Sequence, residues 1–238
     1  MSTAPEDDRL PGTAQAILDA AVDLFVGRNY EGASMREIAA VVGVTPASLY
    51  NHYRSKEDIL WEIVQRSWRA LSDVQMSSGS SASGTVEQFV SFVDAHSRFH
   101  ATHPRLAGIA NRQLQSLESR RYRTVMERRR DYAGRLQTIV SAGVAEGVFT
   151  VPHVPVAAFA LLDVGMGLTR WFDPSKELSV DEICTAHVEL ALRAVHYTGD
   201  RQRLSSHLGD RDGRGATVAG PVASGTQVEG PGRTPGSP

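Results

Sequence analysis

The sequence predicts an all-α fold in which a small N-terminal three-helix unit precedes a larger helical domain. Three observations support this prediction: apolar residues recur at helical spacing along most of the chain, few stretches alternate with the period of a strand, and capping residues separate the apolar segments. A flexible arm is expected over residues 1–12, and a disordered tail over 199–238, where glycine and proline are frequent and Phe, Trp and Tyr are absent. The two folded units are expected at 13–54 and 55–198.

Local signals divide the folded part of the chain into nine helices. Ser34 lies three residues before Glu37, which is a capping-box pattern, and Gly43 supplies the turn that follows. Thr45 is the expected cap of the third helix, and Pro46 fills its first position, where the missing N–H costs no hydrogen bond. The helices are expected at about 13–28, 34–41, 45–51, 55–76, 85–102, 104–114, 119–146, 153–172 and 179–198.

Composition and charge are those of an ordinary globular protein. Hydrophobic residues make up 41% and charged residues 22% of the chain, and the formal net charge is −2. Cys184 is the single cysteine, so no disulfide can form within the chain. The N-terminus lacks the apolar core of a signal peptide, and no apolar run approaches the roughly 20 residues of a membrane span. We therefore expect a cytoplasmic protein without a membrane partner.

Residues 34–52 read SMREIAAVVGVTPASLYNH, a helix, a glycine turn and a short capped helix. This is the helix-turn-helix pattern, in which the second helix enters the major groove of DNA and its N-terminal residues reach base edges. The exposed face of that helix is polar or small, and Arg36, Arg54 and Lys56 flank it where they can meet phosphates. The sequence therefore predicts a double-stranded DNA-binding unit over 13–54; the alternative is a helical corner of another α-protein.

The predicted DNA-binding unit is not basic overall. Residues 1–60 contain five Arg or Lys and nine Asp or Glu, and many of the acids lie on the arm and the first helix, away from the second helix of the motif. We expect phosphate binding to depend on few cations, together with neutral donors and helix N-termini.

The stretch 13–61 resembles the DNA-binding domain of the TetR family. The matching pieces are AILDAAVDLFVGRNYEGASMREIAAVVGV and TPASLYNHYRSKEDIL, and the run Leu-Tyr-Asn-His-Tyr before Ser-Lys-Glu is specific to that family. The resemblance implies phosphate contacts at Tyr50 and His52 and a phosphate-capping role for Lys56. It also implies base contacts in the first turn of the second helix of the motif, about 45–51, here called the reading helix. The expected DNA-binding residues are Ser34, Arg36, Thr45, Pro46, Ala47, Ser48, Tyr50, Asn51, His52 and Lys56.

One arginine interrupts the apolar stripe of the seventh helix. Arg129 follows Met126 by three positions and precedes Leu136 by seven, so it faces the same side as these residues. A cation on a core-facing stripe is costly unless it is paired. Two interpretations remain open and are compatible: Arg129 binds an anionic ligand in a pocket, or it forms a buried pair with Asp94 or Asp163.

Histidines and aromatic residues supply the other candidate ligand contacts. His96 and His100 are spaced as a metal-binding pair, but no carboxylate or thiol completes a set, so they are expected to line a pocket or to be satisfied core residues. We expect no metal, no cofactor and no catalytic residue, since the chain has neither a nucleophile motif nor a glycine-rich phosphate loop. The expected ligand-binding residues are Trp68, Phe89, His96, His100, Tyr122, Met126, Arg129 and Trp171.

The last two helices each have two apolar faces. The resemblance implies that they form a four-helix interface with a second subunit, and Leu192 is expected on the outer face; the alternative is a wholly internal core. A homodimer of this kind is expected to bind a palindromic operator, because protein two-fold symmetry is mirrored in the DNA.

The run from the arginine-rich seventh helix through TRWFDPSKELSVDEI resembles a TetR subgroup that represses catabolic genes and responds to acyl-CoA thioesters. Arg120, Arg121 and Arg123 would then either meet CoA phosphates or form a solvated face. The predicted function is a repressor that a small, anionic or acyl-CoA effector releases from DNA. The alternative is a helix-turn-helix regulator whose C-terminal domain only dimerises or binds protein.

Overall fold

The computed structural model describes residues 12–79 and 84–199, which contain nine α-helices and no strand. The all-α prediction is therefore confirmed. The predicted arm, apart from Gly12, and the predicted tail, apart from Gly199, lie outside the described residues. The helices are α1 (Gly12–Gly32), α2 (Met35–Val42), α3 (Pro46–His52), α4 (Lys56–Gly79), α5 (Thr85–Thr102), α6 (Pro104–Arg112), α7 (Ser119–Ala145), α8 (Val154–Trp171) and α9 (Val180–Ala194), with a 3-10 turn at Leu114–Ser116.

The predicted caps set the geometry of the first three helices. The Ser34 hydroxyl accepts from the Glu37 N–H at 3.2 Å, and the Glu37 carboxylate accepts from the Ser34 N–H at 2.8 Å. Thr45 Oγ1 accepts from the Ser48 N–H at 3.1 Å at the start of α3. α1 has a break at Asn29, whose positive φ of 61° is not helical, so its regular part ends close to the predicted residue 28.

The first three helices share one apolar core with α4, α6 and α7. Leu49 of α3 and Ile38 of α2 are fully buried, and they belong to one apolar cluster with Ile59 and Ile63 of α4. The same cluster contains Val125 of α7 and residues of α6. The reading helix thus rests on the first turns of α4, and α4 rests on α6 and α7.

Helix α5 lies at the centre of the C-terminal helices and packs against α4, α6, α7, α8 and α9. All but one of residues 89–101 are buried; the exception is Arg98, which is half-buried. Polar side chains on such a helix need partners. The carboxylate of buried Asp94 finds one in Arg98, at 3.3 Å, and Arg98 also binds Asp181 of α9 at 2.5 Å.

Helix α8 is the one described helix with the length and apolar composition of a membrane span. A core helix of a globular protein meets the same criterion, and the inner face of α8 packs in this way through Ala158, Leu162 and Leu168. Its N-terminal cap residue is His153, and Asp163 interrupts its apolar sequence.

The prediction that Leu192 lies on the outer face of α9 is wrong. Leu192 is fully buried in a cluster with Phe89 and Val188, because α9 turns this face towards α5. The exposed large apolar residue of α9 is Leu190, with 49% of its surface exposed. On α8, Val156, Phe159, Val164 and Trp171 are exposed.

Candidate functional site

The second helix of the predicted DNA-binding motif presents its polar face to solvent. On α3, Ala47, Asn51 and His52 are exposed, as is about half of Tyr50. Leu49 is buried and fixes the helix to the core beneath it. Thr45 and Pro46 are exposed at the helix start, while Ser48 is partly buried. An eight-residue α2 and a seven-residue α3 therefore form a protruding corner with a small and polar outer surface.

Ser34 and Arg36, at the start of α2, have different environments. The Ser34 hydroxyl forms the capping box with Glu37. Hydrogen bonds from Ser34, together with the Arg28 guanidinium, lower the pKa of the Glu37 carboxyl. Arg36 is exposed on the following turn.

Lys56 binds protein carbonyls at the start of α4. Its ammonium donates to the Tyr30 carbonyl at 2.8 Å and the Ala33 carbonyl at 2.9 Å, and it lies 4.2 Å from the centre of the Tyr30 ring. An ammonium has three donors, so one is left for another partner. Lys56 thus joins the end of α1 and the α1–α2 connection to the start of α4, and this contact helps to position the reading helix. The predicted phosphate contact could use only the third donor of the ammonium.

A central cavity of about 370 Å³ lies among α4, α5, α6, α7 and α8. Most of its wall is apolar, including Leu71, Phe99 and Leu162. Five of the eight predicted ligand-binding residues line it: Trp68, His96, His100, Met126 and Arg129.

The other three predicted ligand-binding residues do not line the central cavity. Phe89 is fully buried against Phe149, with ring centroids 5.0 Å apart. It shares a face with His96 but lies seven residues away, which is about 10 Å along the helix, and the cavity reaches only the later turns of α5. Tyr122 belongs to the cluster around α1–α4, and Trp171 is exposed at the end of α8.

The half-buried Arg129 of α7 has a neutral hydrogen-bond partner. Arg129 Nη2 donates to Asn111 Oδ1 at 2.6 Å. Pairing with Asp94 is wrong, because Asp94 binds Arg98 instead. Burial lowers the pKa of Arg129, while the nearby carboxylate of Asp163 partly opposes this effect. A guanidinium has five donors, so Arg129 retains N–H groups for an acceptor in the cavity.

A directed chain of hydrogen bonds runs from Arg129 into α5. His100 Nδ1 donates to the His96 carbonyl at 2.8 Å, which leaves Nε2 as the acceptor. Asn111 Nδ2 lies 3.5 Å from that atom and donates to it, while its own oxygen accepts from Arg129. Burial lowers the pKa of His100 to about 4, so the ring is neutral, as this chain requires.

A second chain crosses the wall of the cavity. His96 Nε2 lies 3.0 Å from the Leu162 carbonyl and donates to it, which leaves Nδ1 to accept from the Tyr132 hydroxyl at 3.1 Å. The Tyr132 oxygen in turn accepts from Gln75 Nε2 at 2.9 Å. Both nitrogens of His96 are thus used. Among the described residues no group of three His, Cys, Asp or Glu side chains could hold a metal.

The central cavity shares wall residues with two surface depressions. Trp68, Leu71 and Tyr132 also line a groove of about 700 Å³ between α4 and α7, here called the outer groove. On another side, Arg129 and Asp163 also line a depression of about 370 Å³ between α6 and α8. The two depressions therefore lie next to the cavity, separated from it or joined to it by the same few side chains.

Ion pairs join α7 to the first turn of α4. Arg121 reaches Glu57 at 3.1 Å and Asp58 at 2.6 Å, and its guanidinium lies 5.6 Å from the centre of the Trp61 ring. Arg121, predicted either to meet CoA phosphates or to be solvated, is thus partly buried and paired with these two carboxylates. Arg120 and Arg123 are exposed.

Sequence reasoning missed Asn111 and the α8 contribution to the cavity. Asn111 is the one amide on an otherwise apolar or basic α6, which is a signal that could have been followed. Phe159 and Met166 line the cavity from α8, and the sequence does not single them out because α8 is apolar on several sides.

Comparison with known proteins agrees with this arrangement. The family profile described as bacterial regulatory proteins, tetR family, matches residues 17–63, and the profile of the tetracyclin repressor-like C-terminal domain matches residues 82–195. The transcriptional repressor KstR2 of Rhodococcus jostii is 25% identical over 198 residues, which cover 81% of this chain and 96% of KstR2.

Two solved structures extend the likeness. A tetR-family regulatory protein from Rhodococcus RHA1 has a TM-score of 0.74 and 26% identity, covering 80% of this chain and all of its own. AibR in complex with isovaleryl coenzyme A and operator DNA has a TM-score of 0.67 and 25% identity, covering 75% of this chain and 97% of its own. The helix-turn-helix corner, the helical C-terminal domain and these matches together show that the chain belongs to the TetR family of bacterial transcriptional regulators.

Proposed function

We propose that this regulator is a repressor that binds an inverted-repeat operator as a dimer and leaves it when a small effector enters the central cavity. The observation that carries this proposal is the cavity itself. It has an apolar wall and a half-buried arginine with free donors, and an ion pair links α7 in its wall to α4, the helix that follows the reading helix. A C-terminal domain that served only for dimerisation would not need such a space.

DNA binding would use the exposed corner of α2 and α3. The small side chains Ala47 and Ser48 allow the helix to approach base edges, while Tyr50, Asn51 and His52 surround it with donors for phosphates. Arg36 and the third donor of Lys56 add positive charge at the sides. Two such corners in a dimer would read two half-sites of a palindrome.

The effector would be a molecule with an apolar part and an anionic or carbonyl-bearing group. The apolar part would contact Leu71, Phe99 and Leu162, and the polar group would take the remaining donors of Arg129. AibR, whose complex contains isovaleryl coenzyme A, and the KstR2 repressor support an acyl thioester as the class to test first.

The effector would release DNA by shifting α4. An effector between α4 and α7 would move α7. Two side chains of α7 bind α4: Arg121 pairs with Asp58, and Arg128 donates to the Gln65 side-chain oxygen at 2.5 Å. Since α4 starts directly after the reading helix, its shift would change the spacing of the two reading helices. Release requires that the effector prefer the state that does not bind DNA.

Operator selection and displacement test both halves of the proposal. Selection on random duplexes should enrich an inverted repeat. The Tyr50→Ala variant should bind this operator more weakly than Tyr50→Phe does, and Ser48→Arg should select a different sequence. Acyl-CoA thioesters and free acids should then displace the operator, with about a tenfold to hundredfold loss of DNA affinity.

Arg129→Gln, which keeps donors but removes the charge, should bind operator normally and need a higher effector concentration for release. Enrichment of a site without symmetry would contradict the dimeric operator. Release of Arg129→Gln at the parent's effector concentration would contradict the role of the cavity arginine.

A further inference from the structure

One hydroxyl in the wall of the central cavity has no hydrogen-bond partner. Ser67 lies in the middle of α4 and lines the cavity, and only 6% of its surface is exposed. Over residues 12–79 and 84–199 its Oγ atom forms no hydrogen bond, yet it is not sealed in by its neighbours, because His187 Nε2 is the one fully enclosed polar side-chain atom without a partner there. The Ser67 hydroxyl therefore borders the open space of the cavity.

Other serines of the chain show why this hydroxyl is unusual. A serine within a helix commonly points to solvent or donates to the carbonyl group four residues earlier. Ser72 of α4 and Ser97 of α5 donate in this way, at 2.9 and 2.7 Å. Ser67 is buried and does not bond the Ile63 carbonyl, so its donor and its acceptors stay available to a molecule inside the cavity.

Three buried polar side chains line the central cavity in the described part of the chain: Ser67, His96 and His100. Both ring nitrogens of each histidine have partners within the protein. Ser67 is thus the one member of this set whose hydrogen-bonding groups are unused.

Ser67 and Arg129 reach the cavity from different helices. Arg129, on α7, keeps unused N–H groups beside its bond to Asn111. Ser67 belongs to α4, and most of the remaining wall is apolar. A ligand with a single polar end satisfies only one of the two. A hydrocarbon group against Ser67 excludes water from the hydroxyl without replacing it, which weakens binding.

We propose that Ser67 donates a hydrogen bond to an oxygen in the apolar part of the effector. The effector is then a molecule whose polar end binds Arg129 and whose hydrocarbon part carries a second oxygen, in a hydroxyl or carbonyl group, on the side of α4. This inference rests on the proposed function and adds the chemistry by which the cavity selects among effectors. It also adds a direct contact between the effector and α4, the helix that follows the reading helix.

Isothermal titration with decanoate and its hydroxylated derivatives tests the proposal, with the hydroxyl near the carboxylate, at mid-chain or at the far end. The measured quantity is the ratio of the affinity for each derivative to that for decanoate, which cancels the carboxylate and the chain that both share. For at least one derivative, Ser67→Ala should lower this ratio about threefold to tenfold relative to the full-length parent, the effect of one neutral hydrogen bond.

The matched control is Ser72→Ala, because Ser72 is an exposed serine of the same helix whose hydroxyl donates to the Trp68 carbonyl. Its affinity ratios should equal those of the parent. Ser67→Ala should unfold at a temperature equal to or above that of the parent, since alanine favours a helix and no hydrogen bond among the described residues is lost. A serine with a purely structural role would give a lower unfolding midpoint instead.

Thiol labelling tests the direction of the side chain without any effector. In Ser67→Cys the thiol should react with methyl methanethiosulfonate, because exposed Phe159 and Asp163 in the cavity lining leave the cavity open to solvent. Cys184 is fully buried, and burial raises its pKa to about 12, so the parent supplies an unreactive background.

Unchanged affinity ratios in Ser67→Ala for every derivative would overturn the inference, and so would a Ser67→Cys thiol that reacts no faster than Cys184. If decanoate still displaces the operator in either case, the proposed function stands, so the two failures can be told apart. Failure of every acid and thioester to bind or to displace the operator would contradict the proposed function and this inference with it.

Discussion

Individual side chains in the centre of the protein are fixed by hydrogen-bond direction as well as by shape. Ser97 Oγ donates to the Val93 carbonyl at 2.7 Å, so it must accept from His187 Nδ1. His187 Nε2 then carries a lone pair, and it is buried without a partner among the described residues. Together with His96 and His100, this ring belongs to a cluster that is held neutral by its surroundings.

The buried histidines should make the fold sensitive to mild acid. Burial lowers the pKa values of His100 and His187 from 6.5 to about 4 in each case. As the pH falls below 6.5 the unfolded chain takes up these protons first, so the free energy of unfolding should decrease from pH 6.5 to about 4. The loss is about 3 kcal/mol for each group, at 1.36 kcal/mol per pKa unit.

Urea unfolding at several pH values checks this, with His187→Asn as the probe because asparagine can still donate to Ser97. The variant should show a pH slope that is shallower than the parent's by up to about 1.4 kcal/mol per pH unit between pH 6.5 and 4.5. Identical slopes would contradict the assignment of a depressed pKa to His187.

Gly165 of α8 should tolerate no side chain, because the histidine cluster lies against it. An added Cβ would lie 2.4 Å from His96 Cδ2 and 2.8 Å from Nε2, and two hydrogen bonds hold that ring in place. Gly165→Ala should reduce the free energy of unfolding by about 1–3 kcal/mol.

Gly134→Ala is the matched control, since a Cβ there meets nothing within 4 Å. It should raise stability by up to about 1 kcal/mol, as expected for alanine in a helix. Chemical denaturation measures both variants, and a Gly165→Ala protein as stable as the parent would show that His96 can move away.

At the scale of helices, the sequence predicted the elements well because the signals are local. Ser34 with Glu37 and Thr45 with Pro46 act within one turn, so their patterns suffice to place α2 and α3. The direction of each helix face was harder to predict. Leu192 was placed outside because α9 has two apolar faces, and only its packing against α5 decides which one is buried.

The candidate site was predictable only in part for the same reason. Arg129 stood out as a cation on an apolar stripe, and His96 and His100 shared its cavity. Asn111 as its partner could not be inferred, since it lies on another helix 18 residues earlier and nothing local links the two.

The contact between α7 and the start of α4 should carry the coupling between effector and DNA. Arg121→Gln removes the charge that binds Glu57 and Asp58, while Trp68, Met126 and the rest of the cavity wall stay in place. We expect effector binding to change little and the effector-induced loss of operator affinity to fall several-fold.

Fluorescence anisotropy of labelled operator, with and without effector, measures this coupling. The control is Arg123→Gln, an exposed arginine on the same helix, which should behave as the parent does. Full coupling in Arg121→Gln would show that the signal reaches α4 by another route.

For the whole molecule, the exposed apolar residues of α8 and α9 form the surface on which we propose that a second subunit packs. Leu190 is 49% exposed, and Phe159 and Val164 of α8 are exposed at 54% and 43%. Few monomeric proteins leave such a surface uncovered, and an inverted-repeat operator needs two copies of α3 in a fixed relation. Membership of the TetR family supports the same proposal, a dimer formed through α8 and α9.

Leu190→Glu should therefore yield monomers that fold but bind operator weakly, because a charge in the interface is left without a partner. Light scattering coupled to gel filtration measures the mass, and operator titration measures the affinity. Val144→Glu is the control, since this residue is 39% exposed on α7, outside both helices. An unchanged dimer in Leu190→Glu would place the interface elsewhere.

Because the one thiol of the chain is buried, a distance between the two reading helices of a dimer can be measured with labels on introduced cysteines. Cys184 is fully buried, and burial, with the charge of Asp94, raises its pKa to about 12, so the reactive thiolate is scarce at neutral pH. A cysteine introduced at exposed Asn51 would then be the only site at which a spin label attaches to the folded protein. Two labels in a dimer would report the separation of the reading helices directly, in solution, before and after an effector is added.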